Sequence, residues 1–126
     1  MTQPADRRST VVIAEDEADL LSMVSDMVEE CGLVPVPCAT GQAAHDHLAA
    51  HAADVRALFA DIKLRDSIDG VALALTTAER YPWIGICVTS GTCAARPAVL
   101  PQKVRFLAKP WRAAEVLAFI EGVADD

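Results

Sequence analysis

The chain has 126 residues, a length that suits one domain and leaves no room for a second folded output module. Hydrophobic residues make up 52% and charged residues 23%, which sets the chain apart from the composition of disordered proteins. Its net charge of -7 weighs against a direct nucleic-acid partner, because such binding relies on Lys and Arg displacing counterions from phosphates.

Residues 1–9 are polar, carry Asp6, Arg7 and Arg8, and are expected to form a flexible tail ahead of a domain over 10–126. Residues 10–14 (TVVIA) are a short β-branched run that ends at an acidic cluster, as a buried parallel strand would. From Glu17 onward Leu20, Val24, Met27, Val28 and Cys31 recur at helical spacing, and Gly32 stands where a C-terminal glycine cap belongs. Residues 33–38 (LVPVPC) read as a second strand. Pro35 and Pro37 cannot donate ladder hydrogen bonds, which places that strand at a sheet edge. A second helix covers about 41–51.

The apolar run 57–60 (ALFA) leads straight into Asp61, and a polar loop with Asp66, Ser67, Asp69 and Gly70 opens a third helix over about 71–80. Residues 84–88 (IGICV) form the fourth strand, followed by Thr89, Ser90 and Gly91. Pro97 and Pro101 then stand too close together for a normal helix between them, so a fourth helix is short, irregular or absent. Residues 104–108 (VRFLA) are a fifth strand before Lys109 and Pro110. Trp111 to about Val123 closes the chain as an amphipathic helix with Val116, Leu117 and Ile120 inward.

Strict alternation of strands and helices implies a doubly wound α/β domain: a five-stranded parallel sheet, right-handed crossovers and helices on both faces. No segment reaches the roughly 18 apolar residues of a membrane span. Cys31, Cys38, Cys87 and Cys93 form no C-x-x-C pair and read as free thiols. The expectation is a soluble cytoplasmic protein without membrane contact.

In such sheets the functional crevice lies beyond the carboxyl ends of the strands. There the first strand delivers Glu15, Asp16 and Glu17, the third Asp61, the fourth Thr89 and Ser90, and the fifth Lys109. Converging carboxylates repel one another and are best relieved by a hard divalent cation with oxygen ligands, so a Mg2+ site is expected. A hydroxyl and an ammonium aimed at that site suit a phosphoryl group, with Asp61 as nucleophile and Ser90 and Lys109 taking up charge on its oxygens.

From about residue 10 to 123 the arrangement resembles the receiver domain of bacterial response regulators in two-component systems. The residues that carry the likeness are Glu15-Asp16, Asp61 with the apolar run before it, Gly70, Ser90-Gly91, and the stretch from Phe106 to Pro110. The resemblance implies a flavodoxin-like strand order 2-1-3-4-5 and a phosphoacceptor at Asp61. It implies Mg2+, with Mn2+ as a substitute, on Glu15, Asp16, Asp61 and the main-chain carbonyl of Lys63. It implies that Ser90 and Lys109 contact the phosphoryl group, that Phe106 turns into the space Ser90 leaves, and that the Lys109-Pro110 peptide is cis. Lys63 and Thr92 would line the path of the attacking water. The partners it implies are a histidine kinase or histidine phosphotransfer protein and a downstream protein target. Phosphotransfer and dephosphorylation would be self-catalysed, without the turnover of an enzyme.

The stretch from Ser90 to Phe106 is shorter than is usual in the family, and Phe106 and Glu15 replace a commoner tyrosine and aspartate. Neither replacement removes the chemistry; the altered fourth-helix region motivates the alternative reading, a receiver-like adaptor that binds its partner without phosphorylation. A magnesium-dependent phosphatase of the haloacid dehalogenase type is disfavoured, since it needs a second acid where Lys63 stands. His47 and His51 have metal-ligand spacing but lack a third ligand, Trp83 and Trp111 read as packing residues, and Asp125-Asp126 as a frayed end.

Overall fold

The computed structural model describes residues 8–64, 68–91 and 95–125. Five strands alternate with four α-helices in the order β1 (Thr10–Ala14), α1 (Ala18–Glu30), β2 (Val34–Cys38), α2 (Gly41–His51), β3 (Val55–Asp61), α3 (Gly70–Arg80), β4 (Gly85–Ser90), β5 (Arg105–Ala108) and α4 (Ala113–Ala124). The strands form one parallel sheet in the order β2-β1-β3-β4-β5, the order the resemblance implies.

Local chemistry fixes most of the element ends. Helix α1 stops in a Schellman turn: Gly32 adopts φ 81°, its N–H donates to Glu29 O, and the Leu33 N–H donates to Val28 O. The Thr40 hydroxyl caps α2 by accepting from Ala43 N at 3.1 Å, and the Asp69 carboxylate caps α3 by accepting from Ala72 N at 2.7 Å. The closing helix begins at Ala113, two residues later than its periodicity suggests. Pro110 and Trp111 are used in the turn that leaves β5, where Lys109-Pro110 is cis, and Arg112 takes the N-cap position with its N–H donating to Glu115.

Strand β2 shows why an edge tolerates two prolines. The Val34 N–H donates to Ser9 O and the Cys38 carbonyl accepts from Glu15 N, so even-numbered residues bond to β1. Successive N–H groups alternate sides, so the missing donors of Pro35 and Pro37 fall on the outer edge, where no ladder bond is lost.

Alternation along the strands divides the interior into two cores. Val12, Ala14, Leu58, Ala60, Ile86 and Val88 pack under α2 and α3. Val11, Ile13, Ala57, Phe59 and Cys87 pack under α1 and α4, against Val24, Met27, Val28, Val116, Phe119, Ile120 and Val123. Leu117, expected inward, is half-buried at the margin, and Phe119 takes the deeper place. Burial pushes the Cys87 thiol up to about 12 and raises Cys38 as well, which is the behaviour of inert core thiols. Cys31, Cys38 and Cys87 are free; Cys93 lies outside the described residues.

No helix is found between β4 and β5 among the described residues, in line with the short or irregular element expected there. Turns at 98–104 lay Leu100 and Val104 into the α2/α3 core instead. The Arg96 guanidinium ties the segment together by donating to the carbonyls of Val104, Leu100 and Pro101. Of the expected tail, residues 1–7 lie outside the described residues, while the Ser9 N–H donates to Asp54 O. Asp66, Ser67 and Asp126 also lie outside them. Among the described residues no helix is long and apolar enough to cross a membrane.

Candidate functional site

Strand alternation brings the expected side chains together. On β1 the residue after Val11 and Ile13 on the α1/α4 face is Glu15; on β3 the one after Ala57 and Phe59 is Asp61. On β4 Cys87 is followed by Thr89, and on β5 Leu107 by Lys109. Asp61 pairs with Thr89, and Thr89 with Leu107, so these four ends lie side by side at the carboxyl edge of the sheet.

Lys109 Nζ lies 2.9 Å from Asp61 Oδ2 and 3.1 Å from Glu15 Oε1. The second oxygen of each acid is held by main chain: Glu17 N donates to Glu15 Oε2 at 3.0 Å, and Lys63 N to Asp61 Oδ1 at 3.3 Å. Glu15 is 2% exposed and Asp61 6%, whereas Asp16 is half-buried. Carboxylate oxygens of Glu15, Asp16 and Asp61 all fall within 4.8 Å of one another. A cavity of about 430 Å³ opens over Asp16 and Asp61, lined also by Glu17, Lys63, Leu64, Gly91 and Lys109. The Lys109 ammonium contacts two of the three acids, Glu15 and Asp61.

The electrostatics follow from burial. Desolvation raises the Glu15 carboxyl above its ordinary 4.5, outweighing the Glu17 N–H and Lys109, which pull it down. Burial also works against the Lys109 charge, but its hydrogen bonds and attraction to Asp61 and Glu15 outweigh that and raise it above 10.5. Because Glu15 binds its proton more tightly folded than unfolded, its ionisation removes stability as pH rises from 4.5 through the folded value. In chelator at pH 7, Glu15→Gln should therefore melt higher than wild type, by an amount on the order of 1 kcal/mol or less. Thermal melts show it; a lower melting temperature would mean that the Lys109 pairing outweighs the burial cost.

Ser90 is 1% exposed, and its carbonyl accepts from Lys109 N at 2.8 Å. It follows Val88 on the α2/α3 face, where Val88 pairs with Phe106 and Ser90 with Ala108. Ser90 and Phe106 therefore share a face of the sheet, with Phe106 packed against that core. Thr92 lies outside the described residues. Two features carry more than sequence reasoning gave them. Thr89, read only as part of a strand end, stands beside Asp61. Gly70, marked in the sequence only by its place after a polar loop, packs directly behind it, its N–H donating to Ile62 O at 2.8 Å. The period-two pattern run on past Phe59 to Asp61 holds the signal for the first.

Among the described residues the acidic trio is the sole grouping of three metal-binding side chains, so the α2 histidines gain no third ligand. His47 and His51 stack with ring centres 4.8 Å apart. Trp111 packs edge-on to Phe59 at 6.1 Å, and Trp83 donates to Ala52 O beneath the Arg8 guanidinium.

No family model and no curated protein matches the chain. Solved structures do. A response regulator receiver domain protein from Clostridium thermocellum is 15% identical, with a TM-score of 0.81 over 93% of this chain and 94% of that one. A response regulator receiver protein from Sinorhizobium medicae is 24% identical, with a TM-score of 0.77 over 92% and 94%. An uncharacterized protein from Neptuniibacter caesariensis is 25% identical, with a TM-score of 0.79 over 92% and 87%. At these identities the likeness speaks for the fold.

Proposed function

We propose that this chain, which has the fold of response regulator receiver domains, is a cytoplasmic phosphoacceptor of two-component signalling. It takes a phosphoryl group onto Asp61 from a histidine kinase or histidine phosphotransfer protein and changes its affinity for a downstream protein as a result. The observation that carries this reading is the Lys109 ammonium 2.9 Å from Asp61 within a cluster of three carboxylates.

The donor set fits Mg2+ or Mn2+: hard carboxylate oxygens from three residues, all within 4.8 Å of one another. Glu15, Asp16, Asp61 and the main-chain carbonyl of Lys63 would hold the ion. Bound there, it would offset charge on the phosphoryl oxygens.

In the transfer a carboxylate oxygen of Asp61 attacks phosphorus. The new O–P bond forms as the P–N bond of a phosphohistidine breaks, and the electron pair leaves with the imidazole, which takes up a proton. Lys109, kept charged by Asp61 and Glu15, faces the oxygens on which charge collects. Ser90 donates its hydroxyl to one of them, and Phe106, on the same face of the sheet, turns into the space that hydroxyl leaves. Hydrolysis runs by attack of water on phosphorus past Lys63 and Thr92, restoring the carboxylate.

The test is the intact mass of wild type and Asp61→Asn after incubation with acetyl phosphate and Mg2+, beside a magnesium-free control. One phosphoryl group on the wild type alone is the expected result. No gain in either protein, with acetyl phosphate or a phosphorylated histidine donor, would move the weight to a phosphorylation-independent adaptor. The helix-free connection between β4 and β5 among the described residues favours that second reading, and equal partner affinity for wild type and Asp61→Asn would support it.

A further inference from the structure

Among the described residues two buried side-chain polar atoms have no hydrogen-bond partner: Thr89 Oγ1 and Trp111 Nε1. A buried hydroxyl left unpaired lowers stability, and such groups in folded proteins call for an explanation. Thr89 is 0% exposed and stands directly across from Asp61 in the β3–β4 ladder, on the same face of the sheet. Neighbouring strands lie about 4.8 Å apart, so a hydroxyl one bond beyond Cβ is within reach of the adjacent carboxylate. That carboxylate is held unevenly: Oδ2 has the 2.9 Å contact to Lys109, whereas Oδ1 has a 3.3 Å bond from Lys63 N.

We infer that Thr89 is a positioning residue for Asp61, its unpaired hydroxyl donating to the carboxylate in the reacting state and fixing the plane from which oxygen attacks phosphorus. The inference rests on the phosphoacceptor reading above. Thr89 differs in role from Ser90, which the strand alternation puts on the opposite face beside Phe106. The reaction keeps its balance: the Asp61 oxygen gains the bond to phosphorus, the donor leaves with the electron pair, and the Thr89 proton stays on its hydroxyl throughout. In the resting state the hydroxyl is unpaired, so its hydrogen bond is formed only as the reaction proceeds, which is the kind of contact that raises rate.

The experiment compares wild type, Thr89→Val and Thr89→Ser for the rate of phosphoryl gain by intact mass, using acetyl phosphate with Mg2+. Thermal melts and Mg2+ titrations accompany it. Valine keeps the shape and drops the hydroxyl; serine keeps the hydroxyl. The expected result is a loss of about tenfold in rate for Thr89→Val and recovery to within about threefold for Thr89→Ser. Thr89→Val should melt at or above wild type, with Mg2+ affinity unchanged in both. A Thr89→Val protein that accepts phosphoryl at the wild-type rate overturns the inference and leaves the phosphoacceptor reading intact. A wild type that gains no mass overturns both. If Thr89→Val does not melt cooperatively, Thr89→Ala makes the same comparison against serine.

Discussion

Substituting alanine for Gly70 is expected to cost about 3 kcal/mol, the upper range for forcing atoms into a filled space. A Cβ there would lie 2.1 Å from the Asp61 carbonyl oxygen, 2.7 Å from its carbonyl carbon and 2.8 Å from Ile62 Cα. All three are backbone atoms, so no flexible side chain can yield. Either α3 must lift away from the sheet, breaking the bond from Gly70 N to Ile62 O, or the end of β3 must move. The second response displaces Asp61 itself, so phosphoryl gain should fall along with stability. Gly122 on α4 is a control of opposite sign. A Cβ there meets nothing within 4 Å, and alanine in an open helix position should stabilise by about 0.5 to 1 kcal/mol. Melting curves of both variants decide the matter: Gly70→Ala within a degree or two of wild type would mean that the strand end gives way cheaply.

Gly70 also marks where sequence reading stops. Its place after a polar loop was legible as part of a family pattern, but the reason for it depends on α3 packing back against the end of β3, where the Gly70 N–H meets Ile62 O. Position along the chain does not encode that distance. The edge strand was legible because proline chemistry is local: two missing donors two residues apart can fall on one side of a strand. The convergence of Glu15, Asp61 and Lys109 was legible for a similar reason, since parallel α/β topology sends every strand end to the same edge.

The β4–β5 connection was legible only as an absence. Two prolines argue against a helix, yet nothing local indicates that Arg96 donates to three carbonyls or that Leu100 and Val104 fill the core in its place. The carbonyls are satisfied within the segment itself, while the apolar contacts are settled by packing across the fold. Thr89 and Ser90 were likewise inseparable as neighbours in a strand-end motif. Only the register divides them, placing Thr89 with Asp61 and Ser90 on the face of Phe106. The start of α4 slipped by two residues because the apolar pattern runs on through Trp111, which is half-buried but belongs to the turn.

Removing the Lys109 charge with Lys109→Met should have two separable consequences. The first is on stability in chelator, where Asp61 and Glu15 lose the cation that both contact. Breaking a fully buried pair costs about 3 to 5 kcal/mol, but the Lys109 side chain is 18% exposed, so screening reduces the expectation to about 2 kcal/mol. The sign with pH follows from the shifts. Lys109, raised when folded, contributes stability below 10.5 that is lost as pH rises through its folded value, so the wild type should lose an alkaline increment that the variant lacks. Glu15, already raised by burial, should be raised further without its lysine, so the variant regains stability as pH falls from 7 toward 5 more than the wild type does. Mg2+ should also restore it, since a divalent ion supplies the missing charge. The second consequence is on transfer, where losing one fixed positive group from the developing phosphoryl charge should cost about a hundredfold or more in rate at saturating Mg2+. The separation matters because a metal that repairs the fold need not repair the rate. A variant that Mg2+ restores in both would make Lys109 a counterion for the resting cluster, and one restored only in stability makes it part of the transfer chemistry.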